Sequence, residues 1–458
     1  MRHYRDNPEK KKQALARTTL PCPAESYYDS VYSRKTEHFQ IFYTLSGPNQ
    51  TTEEFIDSVA VNAEVAYRAY TKQLKMLPPL GSPEAYHYQQ DVEDGLYPIE
   101  IIDIDQMRGT QSYLGGKCHG CYGLLTPYDY DHSRSELYLD NDFRYTPEFN
   151  ALKDTLLVDG KTCVYDIANQ DLLNEAHNYS YADLWDKGIR ITLFHELYHA
   201  VQVRYLDLIN YMTFWFEASA SGIEEILAPE IDDYFAYLPL MSRSVGTPLD
   251  KMVQDYGAGI FLLYLHNHVE KNFDKLIWES FAKDPDKILN VHLDNIAKKK
   301  GLSMDSIFHD FATRLSFSGS RAAYMDSTEW ICSDEALWPE FMRLSAENIS
   351  PNLREFAYQY YAYGRPTLEN YMGQVSVAAF KGNTAEIFPV KSSNAADSLY
   401  ILLNENPAVD STLWIFSRFE GTTLPTILKD STLRAYPTPW RQGELCFTPL
   451  PRNKKFIE

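Results

Sequence analysis

The chain of 458 residues contains no run of about 18 consecutive apolar residues, which is roughly the length that a helix needs to cross a membrane. Its first residues, Met-Arg-His-Tyr-Arg, lack the apolar stretch of a secretory signal peptide. We therefore expect no membrane span. We also expect either a cytoplasmic protein or one whose export signal lies outside this chain.

Basic residues are scarce. The chain has 43 Lys and Arg against 63 Asp and Glu, which gives a net charge of −20. Nucleic-acid-binding proteins need a basic surface that displaces counterions, and anionic membranes attract basic segments. The charge therefore argues against both kinds of partner. Because 44% of the residues are hydrophobic, the chain can bury a core, and a disordered protein is excluded.

Cysteine is sparse and scattered, with 6 residues in the whole chain, so a small disulfide scaffold is excluded. The one close pair is Cys118-His-Gly-Cys121, and the neighbouring glycines predict a loop. We favour a local disulfide here, with two free thiols as the alternative. A structural zinc site would need two further ligands at a matching spacing, and the sequence offers none.

The length predicts two to four domains. Changes in residue composition and hydrophobic pattern divide the chain into four segments. Residues 1–35 are polar and are interpreted as an N-terminal arm. Residues 36–187 are predicted to form an α/β lobe. Residues 188–350 are predicted to form a helical lobe, and residues 351–458 an accessory β domain. The predicted fold class is α+β.

In the first lobe, alternating apolar residues predict strands at His38–Thr44, Ile99–Ile104 and Glu136–Leu139, the last as an edge strand. Thr52 caps a predicted helix that ends before the prolines at 78 and 79. Residues 143–187 lack periodicity and are interpreted as a long insertion. In the last segment, strands are predicted at three short apolar runs, Gln374–Phe380, Ser398–Leu403 and Thr412–Phe416.

One segment carries a metal-binding pattern, His195-Glu196-Leu197-Tyr198-His199. Residues four apart in a helix lie on one face, so both imidazoles can reach one ion. Glu196 follows the first His and is placed to accept a proton from water. The motif therefore predicts two zinc ligands and a general base. The alternative is a half-buried helix whose two histidines are structural.

A catalytic zinc needs a third protein ligand and an open position. Glu217 follows His199 by 18 residues. We expect the motif helix to run about nine residues past His199 and to turn near 208–210. A second, antiparallel helix would then return Glu217 to the metal. Glu224 and Glu225 are the alternatives, either as the third ligand or as carboxylates that orient a ligating His.

This pattern resembles that of the gluzincins, the thermolysin-like and aminopeptidase-like zinc peptidases of the MA clan. More narrowly, it resembles a family of secreted bacterial metalloproteases that were assigned largely by motif. The shared elements are HELYHAVQ, FWFEASASGIEE and APEIDDYFAYLP, with TEHFQIFYTLSGP and SELYLDNDF upstream, so that the resemblance runs from about residue 36 to about 270.

The resemblance implies a peptidase core with a mixed β lobe and a helical lobe, here followed by the C-terminal antiparallel β domain. It also implies Zn²⁺ as cofactor and secretion or a periplasmic location. Aminopeptidase-like members place a Tyr downstream of the third ligand, which suggests Tyr256 as the donor to the substrate oxyanion. The alternative is that Tyr256 is a packing residue, one of 34 tyrosines.

The predicted function is hydrolysis of peptide bonds in a peptide or protein substrate, with Glu196 as the general base and His195, His199 and Glu217 as zinc ligands. Two alternatives stay open. The same site could hydrolyse a non-peptide amide or ester. The chain could also be a non-catalytic binding or adhesive protein on a peptidase scaffold, although Glu196 argues against this.

Overall fold

The computed structural model describes residues 20–21, 30–46, 49–104, 122–143, 152–158, 161–167, 181, 184–206, 213–251, 256–369 and 371–419. The chain divides into two compact units, one of Met1–Tyr211 with Leu428–Glu458 and one of Met212–Ile427. The predicted boundaries at 187/188 and 350/351 stay predictions. Cys118 and Cys121 lie outside the described residues, as does the turn expected near 208–210.

In its described part, the first unit combines a mixed five-stranded sheet with two α-helices. Its elements are β1 (Leu20–Pro21), β2 (Tyr32–Lys35), β3 (Phe39–Tyr43), α1 (Glu53–Arg68), β4 (Glu84–Ala85), β5 (Gln90–Asp91), β6 (Tyr97–Ile102), β7 (Gly123–Tyr128), β8 (Asp131–Asp140), β9 (Leu152–Val158), β10 (Lys161–Ile167) and α2 (Trp185–Gln202). Five strands form a sheet in the order β2-β3-β6-β8-β7. The pairs β3–β6 and β6–β8 are parallel, and the two outer pairs are antiparallel.

The prediction that Glu136–Leu139 is an edge strand is wrong. These residues belong to β8, which pairs with β6 on one side and β7 on the other. Their burial on both faces agrees with an inner position, since all four residues are buried. Among the described strands, β7 ends the sheet on this side.

Two further features of this unit differ from the sequence analysis. Residues 32–35, predicted as part of an arm, pair with β3 as β2. Within the predicted insertion, β9 and β10 form an antiparallel pair. The alternation that identifies a half-buried strand is weak in LKDTLLV and KTCVYDI, which explains why the sequence did not reveal them.

Helix α1 confirms the helix predicted after Thr52. The Thr52 hydroxyl accepts a hydrogen bond from the Phe55 amide at 3.2 Å, which satisfies one of the unpaired donors at the helix start. Apolar residues at helical spacing form its buried face and pack towards α2, with the rings of Phe55 and Trp185 at 5.7 Å. The hydroxyl of Tyr70, just beyond α1, donates to the Phe194 carbonyl of α2.

The second unit is helical at first and then forms a sheet. Its elements are α3 (Thr213–Leu227), α4 (Leu238–Arg243), α5 (Gly259–Tyr264), α6 (Phe273–Lys283), α7 (Leu289–Lys299), α8 (Met304–Leu315), β11 (Asn348–Ile349), β12 (Ala357–Tyr361), β13 (Arg365–Pro366), β14 (Gln374–Lys381), β15 (Thr384–Val390), α9 (Ser393–Glu405) and β16 (Ser411–Arg418). The order β12-β16-β14-β15 gives a four-stranded sheet in which every pair is antiparallel. The α+β class is therefore confirmed, as is the antiparallel sheet expected after residue 351.

One of the three strands predicted in this sheet is wrong. Residues 398–403 lie inside helix α9, whose first turn is capped by Ser392 Oγ accepting from the Ala395 amide at 3.2 Å. Ala396, Leu399 and Leu403 recur at helical spacing and pack on the apolar cluster beneath the sheet. The short apolar run was too brief to distinguish a strand from a helix.

Among the described residues, none of the helices is both long enough and apolar enough to span a bilayer.

Candidate metal centre

Helix α2 carries four polar side chains into a buried environment. His195 is fully buried, Glu196 is 1% exposed, His199 is 7% exposed and Gln202 is fully buried. The rest of the helix after Ile191 is apolar apart from Thr192, and every residue from 191 to 202 is buried. Burying polar groups costs free energy unless they are paired. This concentration on one helix therefore indicates a functional site.

The two histidines of the motif face each other across one turn of α2. Their ring centroids are 4.5 Å apart and their planes meet at 82°. Nδ1 of His199 lies 2.7 Å from Oε1 of Gln202. Because an amide oxygen only accepts, this contact makes Nδ1 the protonated nitrogen and leaves Nε2 with its lone pair for a metal.

Gln202 was missed in the sequence analysis as a functional residue. The available signal was its spacing, since it follows His199 by three positions and therefore lies on the same helical face. Its predicted effect is to fix the tautomer and the ring orientation of His199, as outer-shell partners of ligating histidines commonly do.

Glu217 lies in the first half of α3 and is 6% exposed. His195, His199 and Glu217 each offer one ligand atom, and these atoms all lie within 4.8 Å of one another. Two imidazole nitrogens and one carboxylate oxygen at this separation fit the donor set of a catalytic zinc. The three residues predicted as zinc ligands thus form one group, and their role as ligands stays a prediction.

The end of α2 differs from the prediction, and the two alternative ligands lie outside the histidine group. Helix α2 ends at Gln202, three residues past His199, and is followed by a turn rather than by two more helical turns. Of the two alternative ligands, Glu225 forms a group with Asp232 and Asp334 and is not grouped with the histidines. Glu224 is 3% exposed and belongs to no potential metal-binding group among the described residues.

The small residues that follow Glu217 allow α3 and α5 to approach closely. A Cβ atom on Gly222 would lie 2.8 Å from the Gly259 carbonyl oxygen, and one on Gly259 would lie 2.9 Å from the Ala218 carbonyl oxygen. Real Cβ contacts are longer than this, so glycine is required at both positions. This packing begins one residue after Glu217 and holds the helix that presents its carboxylate.

Strand β7 approaches α2 just as closely beside the general base. A Cβ atom on Gly123 would lie 2.6 Å from Cγ of Glu196 and 2.5 Å from Cγ2 of Thr192. The absence of a side chain at Gly123 therefore leaves the space that the Glu196 side chain occupies. Gly123 was not predictable from the sequence, because nothing in its local pattern connects it to a helix some seventy residues later.

Tyr256 lies in a short 3₁₀ turn, residues 256–258, that precedes α5 and packs beside α3. It is 2% exposed, and its ring stacks on that of Tyr237 with centroids 4.8 Å apart. The turn thus lies next to the helix that bears Glu217. The role of Tyr256 as an oxyanion donor stays a prediction.

The sheet beside α2 is acidic. Glu100 of β6 is fully buried and Glu136 of β8 is 4% exposed. Burial, and then the neighbouring Glu136, raise the pKa of Glu100 above its ordinary value, while burial raises the pKa of Glu136 to about 7. Burial, followed by the charges of Glu136 and Glu196, also raises the pKa of Tyr97, which places Glu196 near this acidic face.

No model of a known protein family matches the chain, and no curated protein is significantly similar to it.

Proposed function

We propose that the protein is a zinc-dependent peptidase in which His195, His199 and Glu217 hold the metal. The observation that carries this proposal is the buried group of two imidazoles and one carboxylate with ligand atoms within 4.8 Å of one another. Three protein ligands leave a position for water or substrate, as catalytic zinc sites do. When bound, zinc supplies Lewis acidity that activates water and polarises a carbonyl.

Glu196 is the proposed general base. It adjoins the ligand His195 on α2 and is 1% exposed, so its carboxylate acts in an environment from which bulk water is excluded. It accepts a proton from the attacking water and passes that proton to the leaving amine as the peptide bond breaks. The Gln202 contact keeps His199 in the tautomer that leaves Nε2 available.

Strand β7 is the proposed docking edge for an extended peptide. It ends the described sheet on this side, and its first residue, Gly123, lies against Glu196. An added strand pairs through main-chain hydrogen bonds, which are independent of side-chain identity. A peptide on β7 would therefore bring a backbone carbonyl towards the base. This edge favours a peptide over a small non-peptide amide or ester, which has no backbone to pair.

The direct test combines metal analysis with a cleavage assay. The purified chain is expected to contain one zinc per molecule and to cleave a mixture of unfolded proteins. A chelator should abolish cleavage and added zinc should restore it. Hydrolysis of simple esters or amides without peptide cleavage would favour the non-peptide hydrolase. Bound zinc with no hydrolysis of any substrate would favour the non-catalytic alternative.

A substitution at Gly123 tests the proposed geometry of the base. In Gly123→Ala, the new methyl group overlaps Cγ of Glu196 and Cγ2 of Thr192, so the Glu196 side chain must shift. We expect kcat to fall about 10²-fold, since a small misplacement of a catalytic group has effects of this size. Zinc content should be unchanged, because the nearest neighbours of the new methyl group are Thr192 and Glu196 rather than either histidine.

The matched control is Gly95→Ala. Gly95 has nothing within 4 Å of its added Cβ, although its φ of +87° makes the substitution mildly strained. This variant should lose some thermal stability and keep kcat. If Gly123→Ala retains the activity of the parent protein, β7 does not confine the base and the proposed docking edge loses its main support.

A further inference from the structure

Three carboxylates converge beyond the C-terminal half of α3, in the second unit. Glu225 lies in the last turns of α3, Asp232 follows that helix, and Asp334 precedes the 3₁₀ turn Glu335–Leu337. One oxygen from each lies within 4.8 Å of the others. Glu225 follows Glu217 by eight residues, which is about 12 Å along the helix axis, so this group is distinct from the proposed zinc ligands.

Glu225 lacks the compensation that a buried carboxylate needs. Glu225 is only 6% exposed, and Oε2 of its carboxylate has no hydrogen-bond partner among the described residues. Burial, followed by the negative charges of Asp232, Asp334 and Glu230, raises the pKa of Glu225 to about 9. A buried oxygen without a donor costs free energy, and a cation among these three carboxylates would offset that cost.

We propose that Glu225, Asp232 and Asp334 bind a calcium ion. All three donors are carboxylate oxygens, the ligands of hard cations. Calcium accepts irregular sets of carboxylates that bind through one or two oxygens, whereas magnesium requires near-octahedral geometry and retains its waters. The three ligands come from a helix, the turn that follows it and a distant segment, which suits the more adaptable ion.

The nearby thiol of Cys332 is not a member of this group. Cys332 lies two residues before Asp334, and its sulfur is 3.3 Å from the Tyr234 hydroxyl. The three members of the group are carboxylates, so their chemistry favours a hard cation over a soft metal.

Calcium binding has a consequence that can be measured. The ion joins the end of α3 to the segment around Asp334, and so it stabilises the folded state.

The test uses the full chain, stripped of calcium on a chelating resin and then given calcium chloride. We expect Tm to rise by about 5 °C at saturating calcium, as for a ligand that binds only the folded state. A larger response to magnesium than to calcium, or no shift with either, would overturn the proposal.

Glu225→Gln should weaken calcium binding at least about 10-fold and remove most of the Tm shift. Its zinc content should match that of the parent, which separates this site from the proposed zinc centre. Asp334→Asn gives the same test if Glu225→Gln fails to fold, and Asp286→Asn, an exposed acid of the same unit, is the control that should keep the shift. Equal calcium responses in the parent and in both ligand variants would refute the site.

Discussion

Glu196→Gln is expected to lower kcat by about 10²- to 10⁴-fold while the protein keeps its fold and its zinc. The amide has nearly the shape of the carboxylate, so the packing of α2 against β7 around this fully enclosed side chain should survive. It cannot accept the proton that leaves the attacking water. Because the substrate is bound mainly through other contacts, KM should change far less than kcat.

The measurement is steady-state kinetics on a peptide, together with zinc content and Tm of the same preparation. Glu54→Gln is the control, since Glu54 is an exposed acid in the first turn of α1 and plays no part in the proposed mechanism. That variant should match the parent protein. Near-parent turnover by Glu196→Gln would exclude Glu196 as the base, whereas loss of zinc would assign it a structural role at the metal.

The grouping of the two histidines was predictable because it depends on local spacing. His195 and His199 are four apart on a helix, and this separation alone places both rings on one face. The position of Glu217 was predicted from a helix that returns to the histidines, although α2 ends at Gln202 rather than about two turns later. Glu217 does group with the two histidines, and the small residues after it form the contact between α3 and α5. Its role as a ligand stays a prediction.

Features that depend on partners distant in the sequence were not predictable. The strand at 136–139 has a clear pattern, but whether a strand lies at an edge depends on which other strand pairs with it. The Gly123 contact with Glu196 and the convergence of Asp334 on Glu225 are of the same kind. The strand predicted at 398–403 was wrong for a different reason, because its five consecutive apolar residues fit either period.

The second large effect is expected when one zinc ligand is removed. His195→Ala or His199→Ala leaves two protein ligands, which hold zinc poorly, so zinc content should fall from one per molecule to near zero after dialysis. Peptidase activity should fall with it. Gln202→Leu should act more mildly, weakening zinc affinity by about 10- to 100-fold, because it removes the 2.7 Å contact that orients His199 but leaves all three ligands.

The identity of the third ligand is decided in the same experiment by comparing two acids of α3. Glu217→Ala should weaken zinc binding, since its carboxylate lies within 4.8 Å of the ligand nitrogens of both histidines. Glu224→Ala is the matched control, an acid of the same helix that is equally buried but lies outside that group. Zinc content by elemental analysis and zinc affinity by competition with a chelator provide the measurement. If His195→Ala retains stoichiometric zinc, the proposed centre is wrong, and if Glu224→Ala alone weakens binding, the third ligand must be reassigned to Glu224.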